Sequence, residues 1–481
     1  MKLFRDARNV SASALMAVSL SSLRSLLLLG ILGPALIGAW KAAGLLHLLG
    51  EVLRTAVSRG MSLLVPMRTG QGNQEEARRL ETAAGFFVLL AGLALGAGVM
   101  AFSFLIADEN LRLAVRIMAV VLLFAQPCQF IRELTVARHS FQSRSKELLM
   151  AAMIDFTFAI ALSAGFGLVG IGTATLLSVT VPALYLWRKE GYRFGLRPDW
   201  PRLREMSRVG MPYSLTDGAF DLTRLLDAAV MTPLLGPIGV GYYAVSLLIM
   251  DFSAFVTRIG ISQVVTPHLL REFGKVGSAR QVAMFYEMPT RLLSYLLPPV
   301  LGMISLLIPQ FVHLVLPQYT PGIAAAQVTI WAVFFMAVHA SLGSFFLAAG
   351  KQFSVLRVLA VLIPLGALAQ VAVIRGGFGL TGVAWTSFTV FGLATTAELW
   401  IARRGCGHGL RDNLGFLAST YLPLVVSMAG ARFLQGADFG LALGAPVEAL
   451  LRSLLLVLCY LPVLAAYETR FSMLRAVRQT T

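Results

Sequence analysis

The sequence predicts an all-α, polytopic membrane protein with about fourteen transmembrane helices. Three observations predict it. Of 481 residues, 57% are hydrophobic and 13% charged, against roughly 25% charged in soluble domains. Apolar runs of about 20 residues, the length that crosses a bilayer as helix, recur along the whole chain. The loops between them alternate between basic and nearly uncharged. Backbone groups in lipid must be paired internally, so runs of this length read as helices. The short alternating segments of a β-barrel are absent.

Taken in order, the predicted spans are 10–32, 36–65, 82–106, 111–136, 147–165, 168–187 and 209–234, then 239–268, 286–313, 321–349, 353–374, 380–402, 413–434 and 445–469. The segment before span 1 is short and basic (Lys2, Arg5, Arg8), with no cleavage-type exit after the apolar run, so that run reads as a span and not a leader. Basic loops follow spans 2, 4, 6, 8, 10 and 12, and a basic tail follows span 14. The richest, 188–208, carries Arg188, Lys189, Arg193, Arg197, Arg202, Arg204 and Arg208. The intervening loops are short and rich in Gly and Pro, as at Gly33-Pro34, Asp108-Glu109, Gly165–Gly170, Gly236-Pro237 and Gly376-Gly377. The positive-inside rule places the basic loops and both termini in the cytoplasm. The net charge of +16 therefore marks topology and not nucleic-acid binding. Cys128, Cys406 and Cys459 are widely spaced and suggest neither a disulfide framework nor a metal site.

The chain repeats itself. Leu32-Gly33-Pro34-Ala35-Leu36-Ile37-Gly38-Ala39-Trp40 returns without gaps as Leu235-Gly236-Pro237-Ile238-Gly239-Val240-Gly241-Tyr242-Tyr243. Gly165-Phe166-Gly167-Leu168-Val169-Gly170 returns as Gly377-Phe378-Gly379-Leu380-Thr381-Gly382. Pro66 and Ala77-Arg78 find counterparts in Pro267 and Ala279-Arg280. Offsets of 203, 212, 201 and 202 preserve the order. Residues 1–187 and 209–402 are thus expected to be two six-helix lobes, joined by the basic linker 188–208 and followed by two further helices in 403–481. Six is even, so the repeats are parallel, related by an axis along the membrane normal. Two such lobes with a cleft between them are a transporter architecture.

Charges inside the membrane cost a few kcal/mol and need a reason. Span 1 carries Arg24 among serines. In span 2, His47, Glu51 and Arg54 share one helix face, and span 7 repeats the spacing with Asp217, Asp221 and Arg224, Asp227 lying in the same broad arc. Span 8 has Asp251 and Arg258 on one face. One reading makes Arg24, Arg54, Arg224 and Arg258 contacts for an anionic substrate, since the guanidinium fork grips phosphate and never deprotonates. His47, Glu51, Asp217, Asp221, Asp227 and Asp251 would then line the cavity or carry a coupling ion. The other reading pairs these groups on their own helices, Glu51 with Arg54 and Asp221 with Arg224. Asp155 and His339 read as isolated packing residues. Pro298-Pro299 is expected to break span 9, and Pro127 to bend span 4. No phosphate-binding loop or zinc-type cluster is present, and no soluble segment is long enough for a catalytic domain, so no cofactor is implied and an enzyme is not expected.

The repeated Leu-Gly-Pro-x-x-x-Gly turn, Gly210-Met211-Pro212 opening span 7, Asp227 ahead of Leu235-Gly236-Pro237, and the Gly-Phe-Gly-Leu-x-Gly turns resemble the polysaccharide-transporter branch of the multidrug/oligosaccharidyl-lipid/polysaccharide exporter superfamily. The resemblance covers nearly the whole chain. It implies a V-shaped pair of lobes working by alternating access in the bacterial inner membrane. It also implies a cargo of polyprenyl-pyrophosphate-linked glycan, moved from the cytoplasmic to the outer leaflet for cell-surface polysaccharide or cell-wall synthesis. Membrane lipids, and a glycan polymerase or glycosyltransferases of the same pathway, are the partners it suggests; nucleic acid is not. The drug-exporter branch often uses an acid in its first helix for cation coupling. Here that helix offers Arg24 and no acid, which favours an anionic cargo and leaves the cation-coupled multidrug exporter as the alternative.

Overall fold

The computed structural model describes residues 2–138, 140–192, 194–195, 198–257, 283–349, 351–437 and 444–471. The side chains of 2–12, 48–49, 52–53, 55, 212–213, 215–221, 224, 254–257, 285, 344, 347–348, 352 and 470–471 lie outside that description. The described chain is helical almost throughout: α1 (Lys2–Gly70), α2 (Gln74–Phe102), α3 (Glu109–Ala137), α4 (Phe141–Glu190), α5 (Trp200–Tyr242) and α6 (Ala244–Thr257). These are followed by α7 (Met284–Val315), α8 (Ile323–Ala348), α9 (Gln352–Arg375), α10 (Gly379–Gly405), α11 (Leu410–Gly436) and α12 (Ala445–Phe471).

Three of these helices are too long for one crossing. At about 1.5 Å per residue, the 69 residues of α1 would reach three times the thickness of a hydrocarbon core. Each turns back at a glycine. Gly33 in α1 (φ 69°, ψ 173°), Gly167 in α4 (φ 55°, ψ −125°) and Gly236 in α5 (φ 69°, ψ 177°) leave helical geometry. L-residues with a Cβ rarely reach such angles. The repeat shows in the backbone itself: Gly33 and Gly236, related by the first offset, have nearly identical angles, and Gly167 matches Gly379 (φ 53°). Divided at these glycines, and with α6 continuing α5, the described residues hold fourteen helical segments. Among the described residues, ten helices are long and apolar enough to cross a membrane by length and composition alone.

The helix boundaries at two of the basic loops differ from the predicted ones. Asn73 caps α2 through Glu76 N–H at 3.1 Å, so that helix begins eight residues before the predicted span. Asp199 caps α5 through Arg202 N–H at 3.3 Å, with Pro201 in the first turn, so much of the predicted linker is helix. Both starts carry helix-initiating chemistry, and both segments are polar, which hides them from a search for apolar runs.

Pro298 and Pro299 do not break their helix: α7 runs continuously through four prolines. A proline frees the carbonyl four residues earlier, and neighbouring helices supply replacement donors. Tyr460 Oη donates to Tyr295 O, freed by Pro299, at 3.4 Å. Gln327 Nε2 donates to Ser305 O, freed by Pro309, at 3.0 Å. The pattern recurs in α11, where Tyr467 donates to Ser419 O, freed by Pro423. In α4, Arg132 Nη2 donates to Ser178 O, freed by Pro182, at 3.3 Å. In lipid this cross-bracing replaces the water that would otherwise solvate a freed carbonyl. The α3 helix likewise runs unbroken through Pro127.

The helices gather into two compact units, Met1–Ala244 and Val245–Thr481. This division follows packing, whereas the repeat boundaries follow internal similarity. The reason α5 packs in the first unit is visible at four glycines. A Cβ on Gly38 would lie 1.8 Å from Pro237 O, and one on Gly241 would lie 1.9 Å from Pro34 O. These are repeat-related positions, so the motif meets its own copy reciprocally. At the other end of span 2, a Cβ on Gly60 would lie 2.0 Å from Met206 O and one on Gly210 would lie 1.9 Å from Ala56 O. Small residues thus let span 2 lie backbone against backbone with the start of span 8 at one end and with the start of span 7 at the other, the packing favoured between membrane helices.

Candidate functional site

The polar interior of the first unit is assembled by residues far apart in sequence. Arg24, midway along the first half of α1, points at α4: its Nε lies 3.1 Å from Asp155 Oδ2, with the two side chains 14% and 23% exposed. Neither Arg24 Nε nor Asp155 Oδ1 makes a hydrogen bond among the described residues. Asp155, expected as an isolated packing residue, is therefore the ion-pair partner of the leading candidate. In the second half of α1, Arg54 is buried and pairs with Glu133 of α3, and its Nη1 also reaches Ser58 Oγ at 3.4 Å. Its neighbour Glu51 stands 3.9 Å from His47 Nε2. The pairing expected along span 2 thus gives way, for Arg54, to a bond between helices.

Glu133 belongs to a larger cluster that the sequence reading passed over. Beside it, Arg132 donates from Nε to Glu147 Oε1 at 2.7 Å, and Arg144 pairs with the same carboxylate. The Glu147 side chain has no exposure. A carboxylate this deep needs its charge balanced and its lone pairs bonded, and two arginines with fork geometry do both. One signal was available: Arg132 and Glu133 are adjacent charges inside a predicted span. They lie in its last turns, where charges usually snorkel.

The remaining candidates divide by what is described. Asp227 is buried and accepts from Tyr243 Oη at 2.7 Å. Asp251 on α6 is exposed within the described residues. The side chains of Asp217, Asp221 and Arg224, and all of Arg258, lie outside the described residues. Of the ten candidates, the first unit therefore brings together Arg54, Glu51 and His47 on one helix half, with Arg24 on the other half of α1 and Asp227 on α5.

The second unit has its own buried ion pairs. His339 Nδ1 of α8 lies 2.7 Å and 2.9 Å from the oxygens of Glu398 on α10, whose side chain has no exposure. His339, read from sequence as isolated, has a partner. Arg403 joins Glu287 at 2.6 Å and Asn413 Oδ1 at 3.0 Å, tying α10 to α7 and α11.

At the basic end of the first unit, outside the hydrocarbon, Arg202 grips Glu76 with two bonds of 2.9 Å and also pairs with Asp199. Those two carboxylates hold its guanidinium above its ordinary pKa. Arg138 likewise grips Glu81 and lies over the Tyr192 ring, 4.6 Å from its centroid. Burial pushes the Tyr192 phenol up to about 12, and its hydroxyl bonds Thr135 Oγ1 at 2.9 Å. These contacts lock the linker against α2 and α3.

The model of a family described as polysaccharide biosynthesis protein matches residues 31–321, more than half of the chain. The chain belongs to that family. Its fold is that of the multidrug/oligosaccharidyl-lipid/polysaccharide superfamily. It resembles the lipid II flippase MurJ in an inward closed conformation, with TM-score 0.73 and 11% identity over 94% of this chain and 98% of that one. It also resembles an inward-facing multidrug resistance MATE transporter, with TM-score 0.67 and 16% identity over 82% and 98% of the two chains. In sequence, a stretch of 130 residues is 36% identical to the probable multidrug resistance protein NorM of Brucella suis biovar 1. That stretch spans 25% of this chain and 27% of the relative. This polysaccharide-family chain thus has a multi-pass membrane fold, and its family is one of polysaccharide biosynthesis.

Proposed function

We propose that this transporter is a flippase for a polyprenyl-pyrophosphate-linked oligosaccharide, carrying it from the cytoplasmic to the outer leaflet of a bacterial inner membrane. The observation that carries the reading is the state of Arg24. It sits within a transmembrane helix, opposed by one carboxylate whose second oxygen, like its own Nε, makes no hydrogen bond among the described residues. An arginine held this loosely is suited to exchange Asp155 for a phosphate oxygen, because both partners use the same planar fork. The pyrophosphate and sugars cannot cross hydrocarbon unaided, whereas the polyprenyl tail stays in lipid, so the protein need shield only the head group. Arg54, with Glu133, offers a second such cation, and Arg224 and Arg258 are candidates on the repeat-related spans. His47, Glu51, Asp217, Asp221, Asp227 and Asp251 are the candidates for ion coupling.

The proposed lobes are 1–187 and 209–402, joined by 188–208 and followed by the two helices of 403–481, with both termini in the cytoplasm and alternating access as the mechanism. The polymerase or glycosyltransferases that build the same glycan are the proposed partners.

A second reading, a cation-coupled multidrug exporter, is favoured by the match to the Brucella proteins. The test is a lipid extract from cells depleted of the protein, read by mass spectrometry. Accumulation of one polyprenyl-pyrophosphate glycan, relieved by wild type and not by Arg24→Ala, supports the flippase and names its cargo. An unchanged lipid profile with altered sensitivity to cationic drugs supports the exporter instead.

A further inference from the structure

On the outer face of the first unit, α3 and α4 leave a groove of about 300 Å³ between them, lined by Phe124 and Ile131 from α3, Val181, Leu184 and Trp187 from α4, and Phe194 from the segment beyond it. A second hollow of about 460 Å³ shares Val181 and Leu184 with the first and ends at Tyr185, Arg188 and Lys189. The two adjoin at Val181 and Leu184, so an apolar groove borders a hollow that is cationic where α4 reaches the basic linker.

The chemistry of each end is specific. Phe124, Val181, Leu184 and Trp187 are each more than 40% exposed, so the groove opens sideways, where a membrane helix meets lipid chains. Trp187 is fixed by its indole N–H, which donates to Tyr192 O at 2.9 Å. Tryptophans are enriched at membrane interfaces, and this one stands where the apolar groove gives way to the basic linker. Lys189 lies over the Tyr185 ring at 5.7 Å and donates to Ser143 Oγ at 2.8 Å. The one acid beside it, Glu190, is engaged by the hydroxyls of Ser140 and Ser143 at 3.1 and 2.7 Å. Arg188 and Lys189 are both exposed, and among the described residues neither forms an ion pair.

We infer that these adjoining hollows bind an anionic phospholipid of the cytoplasmic leaflet, with one acyl chain along the α3–α4 groove and the phosphate at Arg188 and Lys189. A groove open to the bilayer along its side admits any chain, so selection falls on the head group. Two cations without a carboxylate partner, set at the rim of an apolar slot, complement a phosphodiester with a net negative charge and offer a zwitterionic head far less. The basic end of α4 also suits its helix dipole, but that role needs no adjoining groove and no lipid preference. The inference does not depend on the flippase reading.

Quenching of Trp187 tests it. The full chain, with its other five tryptophans changed to Phe, is reconstituted in phosphatidylcholine vesicles containing a minor fraction of either dibrominated phosphatidylglycerol or dibrominated phosphatidylcholine. The expected result is a preference for the anionic lipid of several-fold, up to roughly 30-fold at low salt. It falls to parity in the Arg188→Gln/Lys189→Gln variant and is unchanged in Arg78→Gln/Arg79→Gln. Equal quenching by the two lipids, or a preference that survives in the Arg188→Gln/Lys189→Gln variant, overturns the inference. Native mass spectrometry of the otherwise unmodified chain, comparing retained phosphatidylglycerol with phosphatidylcholine for wild type and the same double variants, gives the answer should the single-tryptophan protein fail to fold.

Discussion

Adding one methyl group to Gly38 would drive it into the backbone of another helix. The new Cβ would stand 1.8 Å from Pro237 O, and 2.7 Å from Gly241 N. Non-bonded heavy atoms settle at roughly 3.5–4 Å, so the two chains must part by about 2 Å, and neither obstacle is a side chain that can swing away. Overpacking of this kind costs about 1–3 kcal/mol, sometimes more, set against the roughly 1 kcal/mol that Ala gains over Gly in a helix. Gly44, on the same helix with nothing within 4 Å of its Cβ position, supplies the control: Gly44→Ala is expected to be neutral or stabilising. Gly241→Ala is expected to cost as much as Gly38→Ala, because its Cβ would meet Pro34 O at 1.9 Å in the mirrored contact. The double variant is expected to cost less than the sum, since one separation of the start of span 2 from the start of span 8 relieves both overlaps. Equilibrium unfolding in mixed micelles, followed by circular dichroism, measures all four. A Gly38→Ala protein as stable as Gly44→Ala, or a strictly additive double variant, would refute the reciprocal-contact reasoning.

Asp155→Asn is expected to leave Arg24 uncompensated and to cost about 3–5 kcal/mol, whereas Arg24→Lys keeps the charge and most of the stability but loses the planar fork and with it transport; unfolding and transport measured on both variants separate the two roles. Gln327→Leu is expected to cost about 1 kcal/mol and much less in a Pro309→Ala background, where residue 309 again donates to Ser305 O; a cycle with no coupling would contradict the cross-bracing. Glu147→Gln is expected to cost about 3–5 kcal/mol by stranding Arg132 and Arg144, while Glu75→Gln, which breaks an exposed pair with Arg79, costs under about 1 kcal/mol. Thermal unfolding in detergent checks that contrast.

The turns at Gly33, Gly167 and Gly236 were legible because each falls at a glycine in a loop poor in charge. Gly33, Gly167 and Gly236 stand where the chain reverses, at positions that few other residues could occupy. The starts of α2 and α5 were not legible from apolar runs, since those turns are polar and their signals are the caps Asn73 and Asp199. Pro298-Pro299 misled because a proline's cost depends on whether a distant donor, here Tyr460, is brought to the freed carbonyl. The candidate site divides in the same way. That Arg24 and Arg54 are intramembrane cations follows from one-dimensional pattern. That they face Asp155 and Glu133, 131 and 79 residues away, follows only from topology, which spacing along one helix does not encode.

The most direct test of the central claim is translocation by the purified protein. A polyprenyl-pyrophosphate oligosaccharide is loaded into proteoliposomes, and its sugar is then probed from outside with an impermeant enzyme or lectin. Wild type is expected to expose the inner-leaflet lipid far faster than protein-free vesicles do, and folded Arg24→Lys is not. Translocation no faster than in empty vesicles, under either sign of proton gradient or membrane potential, would contradict it.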